Sequence, residues 1–339
     1  MKIVVFTGGT GGTKLVQGLQ RLVAPEDLTV VVNTGDDIEW WGLHVSPDID
    51  SVLYGLSGLL STDRGWGVND DSFRCLERMN QLGNPAWFSL GDLDLATHLT
   101  RTCLLRQGRT LTKATGELAR RMGIEVRVLP MSDDRVSTVL ETAKGRLNFQ
   151  EYFVRERHSV EVSSVHFVGA EQARPAPGVL EAIKSADTIV FAPSNPVTSI
   201  GPILAVPGIR TALQQAPASI AAVSPLIGGE AVSGPAAVLI RMQGLPSTIS
   251  GIAEAYRDIL DVLIVDDRDR SEADALHSEK LKVVCGKTLM LSLQDKIDLA
   301  QLVLNSVIMG QPEKGCVPFA RRRESARLDP SLAKEAGSG

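Results

Sequence analysis

Short apolar runs, each closed by a polar or glycine-rich stretch, alternate along this chain with longer segments of helical spacing. Ile3-Val4-Val5-Phe6 and Leu28–Val32 are near-continuous and rich in β-branched residues, the pattern of strands buried on both faces of a parallel sheet. Glu125–Leu129, Asp187–Ala192, Ser219–Val223 and Val262–Val265 repeat it. Between them, Leu15, Val16, Leu19, Leu22 and Val23 form one apolar helical face. Ile49, Val52, Leu53, Leu56, Leu59 and Leu60 form another, with Ser46 placed to cap it and Pro47 at its first position. Ser72–Leu82, Leu95–Leu105, Leu111–Met122 and the closing Leu293–Ile308 also predict helices, with Asp92 as a reasonable N-cap for the second of these. The alternation predicts an α/β fold: a doubly wound, mostly parallel, Rossmann-like sheet.

Val136–Thr142, a turn at Lys144-Gly145 and Leu147–Val154 predict an antiparallel hairpin, followed by an apolar alternation at Val160–Phe167. Residues 135–178 therefore read as a small elaboration inserted in one domain spanning 1–310. Beyond it the composition turns to Pro, Glu, Arg and Ser, and 311–339 reads as a mobile tail in which Arg321-Arg322-Arg323 is a solvated charge run.

The polar stretches at the strand ends carry the chemistry. Gly8-Gly9-Thr10-Gly11-Gly12-Thr13-Lys14 follows the first strand and precedes the first apolar helical face. Such a turn lets the backbone approach a ligand, and the helix after it offers free N–H groups and a positive dipole end to a phosphate, with Lys14 expected in its first turn. Neither standard motif fits. A phosphate loop needs glycine before the lysine and Ser or Thr after it, where Thr13 and Leu15 stand. A dinucleotide fingerprint needs glycine at Lys14 and an acid where the second strand ends in Asn33, which argues against an NAD(P)-dependent oxidoreductase.

Asp36, Asp37, Asp48 and Asp50 follow the second strand. Acids in a helix's first turn are stabilising by themselves, but four of them beside a phosphate cradle call for a divalent cation, and magnesium takes one or two carboxylates plus phosphate oxygens and water. Gly91-Asp92-Leu93-Asp94-Leu95-Ala96-Thr97-His98 is a second cluster, with His98 one helical turn after Asp94. Ser194, Asn195, Ser199 and Gly201 form a third, either neutral donors for an anion or turn-forming residues beside Pro196. Ser132-Asp133-Asp134 end a further strand.

A formal charge of −5 excludes a broad basic surface for nucleic acid. The four cysteines, Cys75, Cys103, Cys285 and Cys316, are scattered without a zinc-like or disulfide spacing. No signal-peptide pattern and no apolar run long enough to span a bilayer is present, so a cytoplasmic protein without membrane contact is expected.

Taken together in order, these stretches resemble the 2-phospho-L-lactate transferase family of coenzyme F-420 biosynthesis. They are Gly8-Gly9-Thr10-Gly11 with Lys14, Asn33-Thr34 with Asp37, and Ser46-Pro47-Asp48-Ile49-Asp50. Gly91-Asp92 with Ala96-Thr97-His98, Pro130-Met131-Ser132-Asp133-Asp134, Ser194-Asn195-Pro196 and Ser233-Gly234-Pro235 complete them. The resemblance implies a magnesium-dependent transfer. A phospho-acid would move from a guanosine-diphospho donor to the terminal ribityl hydroxyl of the deazaflavin Fo, releasing GMP. It implies that the glycine-rich turn, Lys14, Ser194, Asn195, Ser199 and Gly201 hold the donor. Asp37, Asp48 and Asp50 would hold the metal, Asp48 and Asp50 would act in catalysis, and Asp50, Asp92, Asp94, Thr97 and His98 would meet the acceptor. Relatives of this kind suggest a homodimer. The family usually has arginine where Leu93 stands; either another cation, such as Arg101 or Arg106, substitutes for it, or the ligand is handled differently. A nucleotide-sugar-binding regulatory protein of the related gluconeogenesis-factor type is the alternative; Asp37-Ile38-Glu39-Trp40-Trp41 favours the transferase.

Overall fold

The computed structural model describes residues 1–232 and 234–308; the expected tail at 311–339 lies outside them. Seven strands form one sheet: β1 (Ile3–Thr7), β2 (Leu28–Val32), β3 (Arg127–Pro130), β4 (Thr188–Phe191), β5 (Ser219–Val223), β6 (Val262–Asp266) and β7 (Lys282–Gly286). Their order is β7-β6-β5-β4-β1-β2-β3, and every neighbouring pair is parallel. The fold is thus the doubly wound, Rossmann-like α/β arrangement that the apolar runs predict. Successive side chains of a strand face opposite sides, so Val4 and Phe6 enter one core layer while Ile3 and Val5 enter the other. Strand β7 has no strong sequence signal because its residues are only half-buried at the sheet edge.

Helices α1 (Gly9–Leu19), α2 (Pro47–Ser57) and the closing helix Leu293–Ile308 pack over one face of the sheet. Helices α3 (Arg74–Gln81), α4 (Asp92–Arg106) and α5 (Leu111–Arg121) lie within the long β2–β3 connection. Ser137–Thr142, Gly145–Asn148 and Val162–Val168 make a separate three-stranded antiparallel sheet. The predicted second arm of that hairpin is shorter than the apolar pattern suggests: Leu147 is its one buried residue, and the chain turns helical at Glu151–Arg155. A small hairpin, Ile38–Trp40 with Leu43–Val45, packs its aromatic ring against Trp87 and Phe88.

Two capping expectations are corrected. Ser46 occupies the N-cap position of α2, but its hydroxyl donates to Asp37 Oδ2 at 2.8 Å and leaves the helix amides uncapped. Asp92 is inside α4, with Gly91 at the cap. Its carboxylate instead accepts from Ser72 Oγ at 2.5 Å and from the backbone N–H of Arg74 and Cys75 at the start of α3. Asp71 returns the favour by accepting from the N–H of Leu93 and Asp94, 2.7 and 3.0 Å away, at the start of α4. This exchange of caps pins the 59–73 segment to α4. Asp92→Ala is expected to lower stability by about 1 kcal/mol, the usual worth of a lost N-cap, read from the midpoint of a urea melt.

Candidate active site

Chain connections leave β1 and β4 in opposite directions, and ligands of doubly wound sheets bind beyond the carboxyl ends at such a point. A cavity of about 660 Å³ opens there. Gly8, Gly9, Thr10, Gly11 and Lys14 line it from the β1 side, and Ser194, Asn195 and Ser199 from the β4 side. Asp36, Asp48, Asp50, Tyr54, Asp94 and His98 line it from the β2–β3 connection.

Helix α1 begins at Gly9, within the glycine-rich stretch, so the glycine amides themselves form the helix start and Lys14 falls in the second turn rather than the first. Lys14 still lines the cavity, and its Nζ donates to Met290 O at 3.3 Å. Gly12 and Thr13 are buried behind the cavity wall. A Cβ on Gly12 would stand 1.8 Å from Thr7 Oγ1 and 2.7 Å from Ser194 Oγ, so the helix start can sit this close to β1 only with glycine there. Gly12→Ala should therefore cost about 1–3 kcal/mol through overpacking, with the urea midpoint as the check. Ser194 accepts from Gly8 N–H at 3.3 Å and donates to Gly8 O at 2.7 Å, stitching the ends of β1 and β4 together. Asn195 Oδ1 accepts from Val197 N–H, so that oxygen builds the turn and is not free for a ligand.

The carboxylates divide into two groups. Asp48 Oδ1 accepts from Gly9 N–H at 2.6 Å, and its Oδ2 accepts from Asn33 Nδ2 at 2.9 Å. Burial raises Asp48 to about 6, with the charges of Asp37 and Asp50 adding to it against the hydrogen bonds from Asn33 and Gly9. Asp36 is buried beside it, and Asp36 Oδ1 has no hydrogen-bond partner among the described residues. Burial, then the charge of Asp48, holds Asp36 well above the usual carboxylate range. The second group is an ionic cluster. Both oxygens of Asp50 accept from the Arg101 guanidinium, which is fully buried, and His98 lies between Asp50 and Asp94. Tyr54 donates to Asp94 Oδ1 at 2.6 Å. Burial would raise Asp94, but His98, Tyr54 and Arg101 outweigh it and hold the group below its ordinary value.

Asp37, Asp92, Thr97 and Gly201 do not line the cavity. Asp37 accepts from Ser46 and contacts His44 Nε2 at 3.0 Å, Thr97 is buried, and Gly201 abuts the Phe167 ring. Arg101, expected as one substitute for the arginine missing at Leu93, is locked on Asp50, and Arg106 donates to Gly42 O outside the cavity. Among the described residues, the cations that line the cavity are Lys14 and Arg64. Arg64, which the sequence marks only through the adjoining Gly65-Trp66-Gly67, lies 5.6 and 5.3 Å from the rings of Trp66 and Phe73 on the segment pinned by Asp71. Asn33 orients Asp48, a contact that neither its place at the end of the second strand nor the Asn33-Thr34 match announces.

Among the described residues no three His, Cys, Asp or Glu side chains gather as a metal cage. The donor set nevertheless suits magnesium. Asp36 offers a buried oxygen with no donor, Asp48 lies beside it, and that cation completes its shell with phosphate oxygens and water. Asp50 has both oxygens on the buried Arg101 guanidinium, so a metal ion on it would face a like charge.

The model of the family described as 2-phospho-L-lactate transferase CofD matches residues 3–290. The chain belongs to this family. It is 44% identical over 303 residues to the 2-phospho-L-lactate transferase of Methanococcoides burtonii, covering 89% of this chain and 98% of that one. It is 41% identical over 304 residues to the enzyme of the same name from Methanosarcina mazei, covering 90% and 100%. The phosphoenolpyruvate transferase of Streptomyces griseus is 43% identical over 310 residues, covering 90% and 98%. A upf0052-family protein from Bacillus halodurans shares the fold, with a TM-score of 0.60 at 19% identity, covering 89% of this chain and 98% of that one. As a member of the 2-phospho-L-lactate transferase family, the chain is a transferase of phospho-acid groups in F-420 biosynthesis. Identities of 44% and 43% to two differently named enzymes leave the acid itself to the pocket residues. Among the described residues, no helix is long and apolar enough to cross a membrane.

Proposed function

We propose that this transferase moves a phospholactyl, enolpyruvyl-phosphate or phosphoglyceryl group from a guanosine-diphospho donor to the terminal ribityl hydroxyl of Fo, releasing GMP. The observation that supports it is the joining of two unlike regions in one cavity. On one side, the helix start at Gly9 and Lys14 suit a diphosphate. On the other, Phe88, Leu90, Phe149 and Phe153 offer apolar walls to a flat ring, and Asp94 and His98 offer polar groups to a ribityl chain.

In this reading the hydroxyl oxygen attacks the phosphorus bearing the acid and gives its proton to a carboxylate of the site. The bond from that phosphorus to the GMP oxygen breaks, and GMP leaves with the bonding pair. Little covalent help is needed: alignment and charge neutralisation carry the rate. Asp36 and Asp48 would hold magnesium, which when bound neutralises the phosphates. Lys14 adds positive charge at the diphosphate, and Arg64 at the cavity rim takes the acid's carboxylate. A cytoplasmic homodimer belongs to the same reading.

Offering Fo and magnesium with each guanosine-linked donor, and weighing the products, tests it. One donor is expected to yield the acid joined through phosphate to Fo, together with GMP. Silence from every donor, or binding of a UDP-sugar in place of Fo, overturns the reading and favours the regulatory binder.

A further inference from the structure

Arg101 touches no part of the cavity, yet it is a fully buried charged side chain directly behind it. Its Nη1 lies 3.1 Å from Asp50 Oδ2 and 3.3 Å from His98 Nδ1. A guanidinium only donates, so the His98 nitrogen that faces it must accept. Asp50 Oδ2, the other neighbour of Nδ1, is farther off at 3.5 Å and already accepts from the same guanidinium. A ring whose Nδ1 accepts carries its proton on Nε2.

That second nitrogen is the unusual one. His98 is 1% exposed and lines the cavity, and Nε2 has no hydrogen-bond partner among the described residues. It lies 3.2 Å from Asp94 Oδ1, but the ring N–H is not aligned on that oxygen, which takes the Tyr54 hydroxyl proton. On two residues that line the cavity, a ring N–H donor therefore lies beside a carboxylate acceptor. A hydroxyl both gives and accepts one hydrogen bond, and is the group that this pair satisfies at once.

We propose that Arg101 is a positioning residue that holds His98 as its Nε2–H tautomer, so that the ring donates to a hydroxyl of a polyol substrate while Asp94 accepts from it. The choice of a polyol rests on the acceptor reading above; the tautomer does not. The role assigned to His98 is that of a fixed donor, and Arg101 acts only through it.

Protein labelled with ¹⁵N-histidine, examined by NMR without any substrate, tests the lock, with His98→Gln identifying the signal by its loss. The wild type is expected to show a protonated Nε2 and a bare Nδ1, and Arg101→Lys, which keeps a donor and a charge, to retain that pattern. Arg101→Met is expected to release it toward a mixture. A proton found on Nδ1 in the wild type, or Arg101→Met leaving the signal unchanged, overturns the lock. Kinetics test the donor. The amide nitrogen of Gln reaches the Nε2 position and that of Asn the Nδ1 position. His98→Gln should thus keep the KM for Fo within a few fold, whereas His98→Asn should raise it about tenfold, the worth of one hydrogen bond. The KM for the guanosine-linked donor should stay put in both. Equal effects of Gln and Asn, or a shift confined to the donor's KM, refute the assignment of His98 to the hydroxyl. Absence of turnover with every donor strikes the acceptor reading while leaving the NMR result to decide the lock.

Discussion

Asp50→Ala is expected to lower the unfolding free energy by about 3–5 kcal/mol, the penalty for stripping a buried ion of its partner. The reason is Arg101. Its side chain is completely buried, its Nε has no hydrogen-bond partner among the described residues, and it cannot lose its proton. With Asp50 gone, Asp94 would remain nearby, but its Oδ1 is held by Tyr54. Asp50→Ala/Arg101→Met should recover much of the loss, since removing both members of a buried pair is far milder than removing one. Urea melts of the single and double variants give the coupling. A penalty below about 1 kcal/mol for Asp50→Ala would mean that the pair is worth no more than an exposed one.

Asp48→Asn is expected to reduce turnover by at least about a hundredfold, the low end of what a misplaced electrostatic group costs at a reacting centre, while changing how stability responds to pH. The folded value of Asp48 is raised to about 6, above the unfolded carboxylate range, chiefly by burial. A raised group contributes stability that is fully present below about pH 4 and is lost as the pH climbs through the folded value. The contribution of Asp48 in the metal-free protein should therefore fall by up to about 3 kcal/mol between about pH 4 and 6, with Asp36, also raised, acting in the same direction. Magnesium should restore part of this at pH 7 by supplying opposite charge, and Asp48→Asn should flatten the slope. The gain in the variant will be partial. Asn33 Oδ1 already accepts from Gly35 N–H, so Asn33 Nδ2 must keep facing position 48, and of the two donors there, Asn33 Nδ2 and Gly9 N–H, one would meet the new amide nitrogen. Urea melts from pH 4 to 7, with and without magnesium, check the slope; equal slopes in both proteins would remove Asp48 as its source.

How much could be read in advance depended on whether the deciding contacts were local. Strands β1, β2, β4, β5 and β6 were plain because both of their faces are buried, and continuous apolar runs announce that. The start of α1 was misplaced because glycine is a poor helix former; here the packing of Gly12 against Thr7 and Ser194 prevails over propensity. Asp48 and Asp50 looked alike as first-turn acids. Two positions on a helix are about 200° apart, however, and the two point to different partners, Gly9 and Arg101. The second partner is 51 residues away, on another helix, and nothing in the spacing announces it. Asp92 was read as a local cap for the same reason that its true use was hidden: the amides it caps come 17 and 18 residues before it.

The central position of β1 also bears on how the molecule assembles. One of its flanking strands, β2, follows soon after it, but the other begins only at Thr188. A growing polypeptide must keep Ile3–Thr7 half-paired while the whole intervening stretch is synthesised. Closure of so long a loop predicts slow refolding. Fragments ending before Thr188 would carry an apolar strand with a bare edge and are expected to aggregate.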